Sequence, residues 1–522
     1  MAELAEGAGP GTPSGVSRRG FVRGTAAVGA TAALPGWLSA RPRPARGSTP
    51  RIVIIGSGIA GLGCAYRLWR RYGLRAEIYE YDDRFGGRIE TVRGFFDDGQ
   101  VIEQHGEFIN PEHTAMLALA ASFGLSLDNT DHYPPGTHPG RLTLRFGGKT
   151  YSQAALNEAW RNWGWSIFRR AAARAGWPIL YNRHTKDAWR WDHMSVPEWI
   201  DTHLPGGLDT DFADVCLSAV LDEYGGPPDQ QSALNLITLL GWDDSRKNGL
   251  QSRRTPQLAG GDEKWHIRGG NDQVITEILG QLPAGVAHLN QHLLAVRRRG
   301  GRYVCTLQSG ASTRDVVADH VVLTPAPTKL AEVDLSGVDI SPLHRRAIAE
   351  QPLGSNCKVD LQFTHRIWNT ADHSAANFYT DRLPQSGWDA TNYQPGAAGI
   401  LISFPGGAAG ARLGARYGLT NDEGPAPAAM VRDYLAAVEV LYPGVSSAYN
   451  GKAYYEWSDG DFHIGGAYSY LKVGQYTSFN GIQGQREGNL HFAGEATSVN
   501  FEGYMEGGLR TGYRAADEVA AG

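Results

Sequence analysis

Arg51-Ile52-Val53-Ile54-Ile55-Gly56-Ser57-Gly58-Ile59-Ala60-Gly61 decides how the rest of this 522-residue chain is read. Ile52 to Ile55 is a short β-branched apolar run, the pattern of a strand buried in a parallel sheet. Gly56, Gly58 and Gly61 follow at once, and Leu62 to Tyr72 reads as a helix. In that setting the first glycine permits a tight turn and the second lets a pyrophosphate approach the backbone. The third lets the helix pack closely on the strand. Free N–H groups and the dipole at the helix start then face the phosphates. Glu80 closes Ala76-Glu77-Ile78-Tyr79-Glu80 about twenty residues on, where an acid can bind a ribose hydroxyl. A glycine triplet alone also fits a plain βα turn. Its place between strand and helix, with Glu80 after it, favours a dinucleotide.

A second glycine-rich stretch lies roughly four hundred residues away: Leu490-His491-Phe492-Ala493-Gly494-Glu495, then Gly503-Tyr504-Met505-Glu506-Gly507-Gly508. If both stretches serve one cofactor, the fold must bring the two ends of the chain together. The length exceeds that of a single core, so two or more domains are expected. A net charge of −5 argues against nucleic acid or an anionic membrane surface as the main partner. Cys64, Cys216, Cys305 and Cys357 are far apart and form no metal-ligand spacing, so no metal is expected.

Residues 1–50 differ in kind. Ser17-Arg18-Arg19-Gly20-Phe21-Val22 precedes a charge-free stretch from Gly24 to Ala40, and Leu38-Ser39-Ala40 suits a signal peptidase. This resembles a twin-arginine export signal over residues 1–40, followed by a proline-rich linker over 41–50. The resemblance implies the twin-arginine export machinery as a partner and a periplasmic or extracellular destination. A tail with an accidental arginine pair is the alternative.

Further along, Arg84-Phe85-Gly86-Gly87-Arg88 is a glycine turn flanked by two cations. From about 110 to 250 the pattern is mainly helical, and half of the tryptophans crowd into Trp160 to Trp199, which fits helix packing better than a substrate cavity. Gly147-Gly148-Lys149-Thr150 lacks the first glycine of a phosphate loop and lies between two strand-like runs, so a hairpin turn explains it. Asn271 or Asp272 is a plausible cap for a helix from Gln273 to Leu282. His292 to Val296 and Arg302 to Leu307 read as a strand pair joined by Gly300-Gly301. His320 to Thr324 and Asn356 to Phe363 read as further strands, and 371–427 as loop-rich.

Together these segments resemble the flavin-dependent amine oxidase family, over roughly Arg51 to Ala520. The resemblance implies an α/β fold: a Rossmann-like FAD-binding domain assembled from distant segments (51–125, 256–335 and 460–522), plus an α+β substrate domain with a mixed sheet (126–255 and 336–459). It implies that Gly56, Gly58, Gly61 and Glu80 contact the FAD adenosine, and that Arg84, Gly86, Gly87 and Arg88 form the second turn beside the pyrophosphate. Gly106, followed by Glu107, falls where the family's chain passes the flavin ring, and Val296 near the strand whose backbone holds the adenine. Gly494 and Glu495 match the C-terminal flavin motif, and Met505 lies where a backbone N–H approaches the flavin carbonyl edge. Lys358 matches the family's lysine that reaches the flavin through a water and assists its reoxidation. Tyr468 and Tyr504 match two rings that face each other over the flavin, and Trp457 another aromatic wall.

Departures from the family are as informative. Ala467 stands where some members attach FAD through cysteine, so the FAD is expected to be non-covalent. Asp82 stands where many relatives carry arginine, and His105 replaces a common glycine. Glu107-Phe108-Ile109-Asn110 lacks the arginine that holds a substrate carboxylate in L-amino-acid oxidases. The family implies oxidation of a small-molecule amine to an imine, with molecular oxygen reduced to hydrogen peroxide, and admits a homodimer. The alternatives are an L-amino-acid oxidase, a desaturase of apolar substrates, or a non-catalytic FAD-binding protein.

Overall fold

The computed structural model describes residues 49–133, 141–241, 256, 258, 263–371 and 374–522. The export signal and all but the last two residues of the linker lie outside the described residues.

Strand Ile52–Ile55 is buried at every position. It is the centre of a five-stranded sheet ordered Leu490–Phe492, His320–Leu323, Ile52–Ile55, Ala76–Tyr79, Ala287–His288. Every pairing in that sheet is parallel. A parallel sheet needs both faces covered, which accounts for the unbroken apolar runs in its strands. The helix after Gly58 spans Ile59–Arg67, three residues earlier than the hydrophobic pattern indicates. Its first turn is Ile59-Ala60-Gly61, because the glycine motif itself supplies the helix start. A π-helical turn, Leu68–Tyr72, follows and stops at Gly73, whose φ of 68° is left-handed.

The C-terminal helix Met505–Ala521 packs along Ile59–Arg67 through glycines. A Cβ on Gly512 would lie 2.1 Å from the Ala60 carbonyl oxygen, and one on Gly508 2.8 Å from Ile59. Gly63 meets Leu509 in the same way, at 2.7 Å. Arg67 then donates twice to Asp517, at 2.6 and 2.8 Å. The first and last helices of the described residues are thus in contact at backbone distance.

A second, eight-stranded mixed sheet runs Glu423–Pro425, Tyr449–Glu456, Lys358–Phe363, Gly399–Ser403, Ser386–Asp389, Phe378–Thr380, Thr143–Phe146, Lys149–Tyr151. Its strands come from 126–255 and 336–459, and those of the parallel sheet from 51–125, 256–335 and 460–522. Several pairings cross that division: Leu127–Asn129 lies antiparallel to Trp265–Ile267, Arg297 pairs with Gly337, and Gln231 bridges to Lys472 and Leu353 to Ser469. A four-stranded sheet holds His292–Arg299 and Arg302–Ser309, joined by Gly300-Gly301, together with Ser312–Ala318 and Asp334–Gly337.

The segment 371–427 is loop-rich, yet it contributes four of the eight strands of the mixed sheet. Short buried runs such as Gly399-Ile400-Leu401-Ile402-Ser403 carry no alternation to mark them. Asp272 takes the N-cap position of Gln273–Gln281 but makes no side-chain cap hydrogen bond, and Asn271 does not cap it. Instead the Asn271 amide donates to the carbonyls of Gly106 and Glu107, at 2.9 and 2.7 Å, and so shapes the loop beside the lysine strand. The strand Ser312–Ala318 was masked by its charged, exposed residues. The tryptophan-rich stretch packs as expected, with Trp160, Trp191 and Trp199 in a helical core.

Gly512→Leu is expected to force the two helices apart and to cost about 3 kcal/mol or more, read as a drop in Tm and in soluble FAD-loaded protein. Gly280→Ala, in the helix Gln273–Gln281 with open space around it, is expected to stabilise by up to about 1 kcal/mol.

Candidate active site

One large cavity, about 320 Å³, runs between the parallel sheet and the mixed sheet. Its nucleotide end is lined by Gly56, Gly58, Ile59, Ala60, Glu80, Gly86, Gly87 and Arg88. Gly56 has φ 98° and Gly86 φ 121°, conformations open to glycine, and Gly58 bridges to Gly86. Gly61 does not face the cavity: a Cβ there would lie 2.0 Å from the Gly56 carbonyl oxygen, so its role is helix-to-turn packing. Gly58 caps the helix with no side-chain hydrogen bond, which leaves the first-turn N–H groups for an anion. Glu80 accepts from Ser57 N and Oγ at 2.6 Å each, and from Asp82 N at 3.0 Å.

The other chain end completes the cavity. Gly494, Glu495, Gly503, Tyr504, Met505 and Gly508 line it. The helix from Met505 also starts without a side-chain cap, so a second set of free N–H groups points into the same space. Glu495 accepts from Arg88 Nη1 (2.9 Å), Ser469 Oγ (2.7 Å) and Gly503 N (2.9 Å), and joins three separate segments. Gly106 lies against Met505, whose Cγ would be 2.9 Å from a Cβ at that position. Two uncapped helix starts, a glycine cradle and a carboxylate at the ribose position form a donor set that fits FAD.

Lys358 opens its strand and is 3% exposed. Its ammonium donates to the Glu103 carbonyl (2.7 Å), to Glu107 Oε2 (2.7 Å) and to the His105 carbonyl (3.4 Å). Burial alone would lower its pKa. The carboxylates of Glu107 and Asp360 outweigh burial and leave the pKa above its usual value. Tyr468 Oη donates to the Asp222 carbonyl and Tyr504 Oη to Glu223 Oε1, each at 2.7 Å. Asn356 Nδ2 also donates to Tyr468 Oη.

Four of the residues marked in the sequence do not line the cavity. Val296 is fully buried in a core; Gln291, His292 and Leu293, at the start of the same strand, face the cavity instead. Trp457 turns away because its neighbour Glu456 faces the cavity and side chains alternate at a strand end. Its ring packs on Gly414 and Gly460. Arg84 braces the turn by donating to the Gly87 carbonyl at 2.9 Å and pairing with Glu90. Gly61 is the fourth. The two substitutions without an account in the sequence acquire neighbours: His105 Nδ1 lies 3.7 Å from Glu456 and His463 Nδ1 3.5 Å from Asp82.

Sequence reading missed Asp222, Glu223 and Glu263, all of which line the cavity. Asp222 and Glu223 sit in the last turn of Asp211–Tyr224, just before the left-handed cap Gly225. Carboxylates at a helix C-terminus oppose the dipole, and that misplaced charge was the available signal. Burial, together with the Glu223 carboxylate and against a hydrogen bond from Ser386, pushes Asp222 up to about 7. Glu263 keeps accessible surface where it lines the cavity, yet desolvation and the carboxylates of Asp222, Glu223 and Glu107 hold its carboxyl well above the usual range.

Residues 59–520 match the family model for flavin containing amine oxidoreductases. The chain is 25% identical to the flavin-containing amine oxidase B of Sus scrofa over 482 residues, which covers 90% of this chain and 85% of that protein. It is 24% identical to the human amine oxidase B over 495 residues, with the same coverage of 90% and 85%. Among solved structures it is similar to the cyclohexylamine oxidase of Brevibacterium oxydans, with TM-score 0.75 and 22% identity, covering 91% of this chain and 99% of that one. It is also similar to a putrescine oxidase bound to putrescine, with TM-score 0.74, 19% identity and the same coverage of 91% and 99%. A match over nearly the whole chain, on a cavity that both chain ends build, places this protein in the flavin-containing amine oxidoreductase family.

Proposed function

We propose that the protein is an FAD-dependent oxidase of amines that carry a second positive charge. The observation that carries this reading is the acidic wall formed by Asp222, Glu223 and Glu263 beside Tyr468 and Tyr504. Among the described residues, the lysines and arginines lining the cavity are Arg88, Lys329 and Lys358. Each already has a carboxylate partner, in Glu495, Glu332 and Glu107 respectively. Among the described residues, a substrate carboxylate would therefore meet acids and no cation without a carboxylate partner, at a cost in free energy. This favours an amine over an L-amino acid.

Bound FAD supplies the hydride acceptor: the amine α-C–H bond breaks with its electron pair, the imine forms and hydrolyses to a carbonyl compound, and dioxygen takes two electrons and two protons to leave as hydrogen peroxide. The protein's own part is placement and charge. The rings of Tyr468 and Tyr504 guide an amine nitrogen. The ammonium of Lys358, with the apolar rings, lowers the pKa of the reacting amine and favours its neutral form. The carboxylate wall keeps the distal amine charged. The similarity to a protein solved with putrescine is in line with such a substrate. Ala467 offers no nucleophile, which supports non-covalent FAD. The Arg18-Arg19 segment supports export in the folded state through the twin-arginine machinery.

Aerobic turnover is expected to release hydrogen peroxide with an α,ω-diamine and to fail with the amino acid of equal chain length; the reverse preference would contradict the reading. Glu263→Gln is expected to lower kcat/KM for the diamine about tenfold and to leave a monoamine of the same length nearly unchanged. A second ammonium binds the ionised carboxylate, and ionisation of Asp222 is completed as pH rises through about 7. The diamine-to-monoamine ratio of kcat/KM should therefore rise with pH across that point. Asp222→Asn should flatten the rise, and a flat ratio in the unmodified enzyme would count against the acidic wall.

A further inference from the structure

Lys358, Glu107 and Trp388 form a connected group on the cavity wall. Glu107 is 6% exposed and is held from two sides. Its Oε2 accepts from Lys358 at 2.7 Å and its Oε1 from Trp388 Nε1 at 3.0 Å. The ammonium also lies 5.6 Å from the centre of the Trp388 ring, which packs against Phe108 and Phe404. All three acceptors of the ammonium come from one short turn, Glu103 to Glu107.

We propose that Glu107 is a positioning residue for Lys358 in the oxygen half of the reaction: it keeps the lysine charged and fixes the ammonium so that the N–H held loosely by the His105 carbonyl is the one open to a group in the cavity. This rests on the oxidase reading above. An ammonium is tetrahedral, so fixing two N–H bonds fixes the third. Glu107 and the Glu103 carbonyl hold two of them at 2.7 Å, whereas the His105 carbonyl holds the last at 3.4 Å. That loosely held N–H is the one a group in the cavity can capture.

Lys358 is faced by Glu107 in contact, by Asp360 on its own strand and by Glu456 directly across in the neighbouring strand. Glu103 and His105 belong to the turn that accepts its hydrogen bonds. Burial, with the Glu107 charge adding to it and Lys358 opposing it, pushes Asp360 up to about 8 and leaves both of its oxygens without a partner among the described residues. Burial likewise holds Glu456 well above, and His105 well below, their usual values. Of these groups, Glu107 is the carboxylate in direct contact with the ammonium. A buried lysine stripped of its partner gives up its proton readily. A fixed cation in a site of low dielectric favours electron transfer to dioxygen, because it stabilises the negative charge that develops there.

The test is the rate at which dioxygen reoxidises the photoreduced holoenzyme, across about pH 6 to 9. The unmodified enzyme and Glu107→Asp should show a flat profile. Glu107→Gln keeps the shape and removes the charge, so its rate should fall about tenfold per pH unit above a new midpoint inside that window. Lys358→Met should be slow at every pH, and adding Glu107→Gln to it should slow it no further. The proposal is overturned if Glu107→Gln stays flat at the unmodified rate, or if it slows the Lys358→Met enzyme as much as it slows the unmodified one. Should Glu107→Gln fail to hold FAD, Trp388→Phe removes only the second hydrogen bond of Glu107. A smaller shift of the same sign then supports the proposal, and no shift overturns it. If dioxygen does not reoxidise the unmodified enzyme, it is the oxidase reading that fails. The anaerobic flavin midpoint potential still tests Glu107: an added pH dependence in Glu107→Gln supports its role, and equal slopes overturn it.

Discussion

The contact between the helices Ile59–Arg67 and Met505–Ala521 is the constraint on which the rest depends. Gly508 and Gly512 let one backbone lie on the other, and Gly63 makes room for Leu509 from the opposite side. The helices therefore begin close together, and both begin without a side-chain cap. Each start concentrates unpaired N–H groups and partial positive charge, so their convergence makes one extended anion-attracting surface from segments roughly four hundred residues apart. A dinucleotide with a flavin ring at one end is the kind of ligand that spans such a surface. Glu495 then ties Arg88, Ser469 and Gly503 to one carboxylate and locks the two chain ends around it.

Beyond the cofactor, the site is organised by opposed charges. Lys358 and its partner Glu107 line the cavity together with Asp222, Glu223 and Glu263. The acidic wall is costly to the fold. Two of its carboxylates oppose a helix dipole, and burial together with neighbouring carboxylates pushes Asp222 and Glu263 above the usual carboxylate range. Such strain persists where it serves a ligand, and a positive ligand relieves it directly. Tyr468 and Tyr504 are tethered to this wall by their hydroxyls, so charge recognition and ring placement are mechanically linked.

Much of this was legible in the sequence wherever a residue type is forced by backbone geometry. Gly56, Gly86 and Gly494 adopt positive φ, and Ile52 to Ile55 must be covered on both faces, so motif and fold follow together. Lys358 was legible from its place in Asn356 to Phe363, a run that reads as a strand. Residues whose meaning depends on long-range direction were not legible. Trp457 and Val296 belong to elements that border the cavity but point away from it, a matter of strand phase. Trp388 lies in a segment that reads as loop, because its short strands are buried and lack alternation. Glu107 was placed beside the flavin, but its pairing with Lys358, 251 residues away, is set only by the packed sheet. His105 and Asp82 departed from the family without explanation until Glu456 and His463 appeared opposite them.

The central claim is that a cavity built by both chain ends holds FAD against an amine whose far end is cationic. Anaerobic mixing of the FAD-loaded protein with an α,ω-diamine, followed by the flavin absorbance, tests it most directly. The account predicts complete bleaching in a single exponential whose rate saturates with diamine concentration. Bleaching by an amino acid, with none by any amine, would contradict it.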